Sequence, residues 1–236
     1  LPLSNGGKVA IRGKIDRLDQ LESNESDWLS VIDYKSSPHS FNVADAYYGI
    51  ALQLITYLDV AVTDFSEAKG KEIKPAGAYY LHVHNPVLKD SKSIEKDMLK
   101  AYQYDGLFAK EPELYDQLDQ SLQEKESSLL FPIKKDKNGQ TVIVSQSKDK
   151  FYDLSEIDIL RQYNREKIQK AGNQIVSGEI KLNPTYKDNQ RIACQYCPFR
   201  SVCKFDAMLK ENNYHRLEKL SKEEVLKRME EELHDN

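Results

Sequence analysis

Residues 8–35 read KVAIRGKIDRLDQLESNESDWLSVIDYK, and this stretch decides the fold. Apolar and polar residues alternate over 8–21, which predicts a strand. Residues 22–27 are polar and turn-like, and WLSVIDYK over 28–35 predicts a second strand. Together they make a β-hairpin. If it turns symmetrically about Asn24 and Glu25, Asp16 faces Asp33 and Lys14 faces Lys35. Asp33 and Lys35 are two apart on a strand, so they share a face.

Directly opposed side chains lie roughly 4.5–5.5 Å apart at Cβ, where two carboxylates repel. The pairing of Asp16 with Asp33 makes sense if a divalent cation sits between them, and hard oxygen ligands suit Mg²⁺ or Mn²⁺. A lysine beside such a metal orients an attacking water and offsets phosphate charge. The same charges also suit the solvated face of an exposed hairpin. The geometry alone leaves both readings open. With a carboxylate repulsion in place, loss of Asp33 is expected to leave the fold intact.

Outward from the hairpin, residues 43–62 carry Ala46, Ile50, Leu54, Leu58 and Ala61 as a helical core stripe. Gln53 and Tyr57, four apart, share a face of that helix and can reach the carboxylates or a DNA phosphate. The plainer reading has Tyr57 in the core and Gln53 capping a carbonyl. Residues 76–84 (AGAYYLHVH) predict a third strand, with His82 and His84 on one face, where they read as edge-strand surface groups with metal binding as the competing reading. This order of strands and helix suggests an α/β sheet. Residues 88–150 are charged and less regular, with short helices and a hairpin at Asn138–Gly139. A long helix is expected over 155–177, opened by Ser155 and Asp158 and stopped by Gly178. A last amphipathic helix spans 221–233, opened by Ser221 and Glu224.

The three cysteines, Cys194, Cys197 and Cys203, fall within ten residues. An odd, clustered set is a poor disulfide framework. It suggests a metal or cluster site in a reducing cytoplasm, with one ligand missing. Tyr196 and Phe199 are placed to shield such a cluster. Buried free thiols, or zinc with His215 as the fourth ligand, are the competing readings.

The ordered motifs G-K-I-D-R (13–17), D-Y-K (33–35) and Q-L-I-T-Y (53–57) resemble those of RecB-type nucleases of the PD-(D/E)XK superfamily. The wording V-I-D-Y-K-S-S, Y-Y-G-I-x-L-Q-L-I-T-Y-L-D and the late cysteines resemble the AddB/RexB-type subunits of helicase–nucleases. The resemblance implies a mixed central sheet flanked by helices, with a nuclease core over 1–184 and a cysteine segment plus terminal helix over 185–236. It implies Asp16, Asp33 and the Tyr34 carbonyl as metal ligands, Lys35 as catalyst, and Gln53 and Tyr57 as supports. It further implies hydrolysis of DNA phosphodiesters on a strand unwound by an AddA-type helicase partner. A 4Fe–4S cluster would take Cys194, Cys197 and Cys203, with a fourth cysteine ahead of the core that this chain lacks.

A net charge of −4 argues against a purely charge-driven nucleic-acid binder but suits a carboxylate-based nuclease. The chain opens on Leu1, one short turn before a strand, and reads as a piece of a larger protein. Two other functions compete: a free-standing CRISPR-associated nuclease with a similar cysteine trio, and a non-catalytic iron–sulfur binding module. Intact Asp16, Asp33 and Lys35 argue against the latter.

Overall fold

The computed structural model describes residues 1–23, 26–83, 94–120, 122 and 127–235. In chain order the elements are β1 (Arg17–Leu21), β2 (Asp27–Lys35), α1 (Val43–Tyr47), α2 (Gln53–Lys69), β3 (Ile73–His82) and α3 (Ile94–Ala101). There follow β4 (Asp105–Ala109), α4 (Pro112–Leu118), β5 (Ile133–Lys135), β6 (Thr141–Ile143), β7 (Phe151–Tyr152) and α5 (Leu154–Val176). The tail holds β8 (Thr185–Tyr186), α6 (Arg200–Cys203), β9 (His215–Arg216) and α7 (Lys222–His234).

The hairpin forms in the expected register: Arg17 pairs with Ile32 and Leu21 with Trp28. The first strand starts at Arg17, however, and not at Lys8. Upstream, Leu3 and Val9 pack onto α5 at Gly172, where a β-carbon would lie 2.4 Å from Val9 Cγ2. Burying these two side chains draws the segment off the sheet.

The central sheet runs β1-β2-β3-β4-β7, antiparallel at β1–β2 and β3–β4 and parallel at β2–β3 and β4–β7. β2 is buried on both faces, which is why its sequence is a nearly continuous apolar run. Val31 packs toward Leu54, Leu58 and Ala78, while Ile32 packs toward Tyr79, Phe108 and Phe131. Helices α1, α2, α5 and α7 cover the first face; α4 and the β5–β6 hairpin cover the second. This is the expected mixed sheet flanked by helices. Leu54 and Leu58 are fully buried, each worth about 1.5–3 kcal/mol.

The helix expected over 43–62 is two helices. Gly49, at φ +82°, takes the left-handed conformation that ends α1, and the chain restarts at Gln53. Ile50 falls in the break and is 45% exposed, so it leaves the core stripe. β3 is an interior strand, so His82 ends an inner strand and not an edge; His84 lies outside the described residues. β4 and β7 were not anticipated. The turn at Gly139 and the Ser221–Glu224 capping box form as expected. The N-cap of α5 is Asp153, whose amide donates to Glu156 at 2.9 Å, in place of the Ser155–Asp158 pair.

Two tethers bind the helical layer. Asp59 on α2, 6% exposed, accepts two hydrogen bonds from Arg165 at 2.5 and 2.7 Å and one from Arg161 at 2.9 Å. Helix α7 buries Val225, Leu226 and Met229, and its Glu232 accepts from Tyr47 at 2.6 Å and Tyr163 at 3.0 Å. Among the described residues no helix is long and apolar enough to cross a membrane.

Candidate active site

The end of β2 carries a charged group where the run is otherwise apolar. Asp33 is only 3% exposed, and a buried carboxylate needs compensation. Lys35 Nζ lies 2.5 Å from Asp33 Oδ2. The contact is a charge pair without hydrogen-bond alignment: Asp33 Oδ2 is buried and accepts no aligned hydrogen bond. The lysine also donates to Gln53 Oε1 at 3.1 Å. Gln53 Nε2 donates to Tyr57 OH at 3.1 Å and reaches Asp33 Oδ1 at 3.5 Å. The first turn of α2 therefore meets the end of β2 through the two polar groups noted in the sequence.

Asp16 sits in the exposed bend just before β1, one residue outside the β1–β2 ladder, so it is not the paired strand neighbour of Asp33 that the sequence suggested. Its Oδ2 accepts the Tyr34 amide at 3.1 Å, so the carboxylate is docked one peptide unit from Asp33. Gly13 explains how this bend is held. A β-carbon there would lie 2.9 Å from Tyr57 Cε1, so the backbone lies directly on that ring. Tyr57 thus borders both halves of the site: the segment leading to Asp16, at Gly13, and Gln53. Lys14 is exposed and lies outside the β1–β2 ladder, so it does not face Lys35.

The structure adds groups that sequence reasoning missed. Parallel pairing sets Tyr80 beside Asp33, and the next strand sets Asp105 beside Tyr80, all on one sheet face. The Tyr80 ring centroid is 5.3 Å from Lys35 Nζ. Burial, then Asp33 and Asp105, push the Tyr80 phenol up to about 12, so it stays protonated at neutral pH. Residues 36–41 cross the ends of β3 and β4. The His39 amide donates to His82 Nε2 at 2.9 Å, its ring lies 5.8 Å from Tyr80, and the Phe41 amide donates to Asp105 at 3.2 Å. Lys150 pairs with the other Asp105 oxygen. Pairing between strands distant in sequence brings these residues together, and its register left no mark in the sequence.

Cys194, Cys197 and Cys203 border one cavity of about 460 Å³, with Arg191, Arg200 and Lys204. Tyr196 and Phe199 are 88% and 68% exposed, so they do not cover the thiols. His215 lies in β9 with its ring edge-on to Tyr48. Among the described residues no three His, Cys, Asp or Glu side chains are grouped as metal ligands.

A buried carboxylate paired with a lysine two residues on, a second carboxylate from the preceding bend, and a glutamine on the following helix define a class of site. A family model for the PD-(D/E)XK nuclease superfamily matches residues 2–204, and the chain belongs to that superfamily. Within it, the chain is similar to bacterial proteins whose names make them one subunit of an ATP-dependent helicase/deoxyribonuclease. The Enterococcus faecalis protein is 57% identical over 97% of this chain and 19% of its own length. The Latilactobacillus sakei protein is 39% identical over 96% and 20%, and the Listeria monocytogenes protein 36% over 97% and 20%. The chain spans about a fifth of the length of these relatives.

Proposed function

We propose that this chain is the nuclease part of an AddB-type subunit and hydrolyses DNA phosphodiesters with Mg²⁺, or Mn²⁺ in its place. The observation that carries the reading is the buried Asp33 carboxylate, charge-paired with Lys35 but accepting no aligned hydrogen bond at Oδ2, one peptide from the Asp16 carboxylate. A lysine offsets one buried carboxylate; a second carboxylate brought beside it calls for further positive charge, which a divalent cation supplies. The donor set of two carboxylates and the Tyr34 carbonyl is all hard oxygen, which fits Mg²⁺. When bound, the metal polarises a phosphoryl oxygen and lowers the pKa of a coordinated water.

The chain's own groups do the rest. Asp16 and Asp33 hold the cation. Lys35 orients the attacking water and offsets charge that builds on the phosphoryl oxygens. Gln53 keeps the lysine in place, and Tyr57 braces Gln53 against the Asp16 bend. The relatives' name supports a DNA substrate and a helicase context. The favoured substrate is single-stranded DNA from helicase unwinding in break repair, delivered by an AddA-type partner in the cytoplasm. The test uses single-stranded DNA without ATP, which separates cleavage from helicase work. Mg²⁺ is expected to support cleavage by the complex, and EDTA and Asp16→Asn each to abolish it. Cleavage that survives both changes would refute the reading.

We further propose that residues 1–184 form the nuclease core and 185–236 a cysteine-bearing segment with its closing helix. The three cysteines border one cavity without being grouped as ligands; drawn together, they would supply three corners of a 4Fe–4S cluster, and the resemblance puts the fourth thiolate outside these 236 residues. Residues 1–236 alone are then expected to hold little iron, because thiolates bind firmly only when the sphere closes. The longer protein should carry about four irons, lost together with thermal stability in Cys197→Ser. Stoichiometric, oxygen-stable iron on residues 1–236 alone contradicts this.

A further inference from the structure

The Asp33–Lys35 ion pair raises a problem for the loaded site. A divalent cation on Asp33 would take up the charge that Lys35 pairs with. Besides Asp33, Lys35 Nζ has two contacts: Gln53 Oε1 at 3.1 Å and the face of Tyr80 at 5.3 Å. Gln53 is itself exposed, whereas Tyr80 is 7% exposed on an interior strand. Neighbours fix the ring on several sides: β2 and β4 flank it through Asp33 and Asp105, and the His39 ring lies 5.8 Å away. The loop bearing His39 is pinned at both ends, by His82 and by Asp105. A cation over an aromatic face is held without a counter-charge, and the attraction grows when water is excluded.

We propose that Tyr80 is a positioning residue for Lys35, its ring holding the ammonium at the reacting phosphate once Asp33 is engaged by metal. The inference rests on the nuclease reading of this site. The role belongs to the ring and not to the hydroxyl, so phenylalanine should replace it and an aliphatic side chain should not.

The test has one arm without metal and one with substrate. Asp33→Asn removes the carboxylate charge while keeping its shape, which imitates neutralisation of Asp33. In that background, in the intact protein, reactivity of Lys35 toward an amine-reactive ester is read by mass spectrometry. Adding Tyr80→Leu is expected to raise it about threefold or more, and adding Tyr80→Phe to leave it within about 1.5-fold. In the otherwise unchanged complex, Tyr80→Leu should lower kcat on single-stranded DNA about tenfold with KM within about twofold, and Tyr80→Phe should match wild type. If Tyr80→Leu does not fold, Tyr80→Met keeps similar volume without a ring. Unchanged Lys35 reactivity in the ring-less variants overturns the proposal. So does a Tyr80→Phe variant as impaired as Tyr80→Leu. If the wild-type complex cuts no DNA, the nuclease reading fails while the labelling arm still judges Tyr80.

Discussion

Asp33→Ala is expected to lower cleavage of single-stranded DNA by at least ~10³-fold, a barrier increase of about 4 kcal/mol. The change removes a proposed metal ligand that lies inside the sheet and not on a flexible loop, so no neighbour swings in to replace it. Stability should also fall. From sequence alone, two facing carboxylates imply repulsion and a fold indifferent to the loss of Asp33. The structure has Lys35 2.5 Å away, so truncation leaves a half-buried ammonium without its partner. Removing one member of such a pair costs about 1–3 kcal/mol, reduced here because Lys35 keeps Gln53. For a chain of this size that is about 2–12 °C in Tm. Asp33→Asn should spare more of the stability and none of the activity. Wild-type turnover by Asp33→Ala sinks the assignment.

Lys35→Ala is expected to cut kcat by ~10²–10⁴-fold while DNA affinity, measured by filter binding, stays within about threefold. The reasoning is geometric. The ammonium is held among Asp33, Gln53 and Tyr80, beside the carboxylates proposed to hold the metal. A group so placed acts on charge that develops during reaction more than on the bound ground state. Weak DNA binding with an unchanged rate at saturation would make Lys35 a phosphate anchor.

The hairpin was legible because its register follows from two local facts, a polar turn and period-two alternation. Gln53 and Tyr57 were legible because helix spacing alone puts them on one face. The sequence did not reveal where the first strand begins: Leu3 and Val9 find a better apolar surface on α5, more than 160 residues away. Gly49 stood in view within the 43–62 run, yet its cost in a helix is small enough that only the backbone geometry shows the break. β4 and β7 are short, and their pairing partners are distant in sequence. Tyr80 and Asp105 were therefore invisible, since membership in the site is set by the register between strands far apart along the chain. The cysteine spacing was plain, but the outward aromatics beside it were not.

The docking of α7 onto α1 and α5 has a consequence for how the protein is made. The proposed active residues all lie before residue 58, yet Val225, Leu226 and Met229 complete the core beneath them. The last residues of α5 and α7, Val176 and His234, are 58 positions apart, about 3–12 s of ribosome time at ~5–20 residues per second. Through that interval the nascent chain carries an open groove lined by Ala46, Tyr47 and Tyr163. Chaperones that shelter apolar surface during translation have their natural target there, and a message cut short before the codon for Lys222 yields a chain that cannot seal this part of its interior.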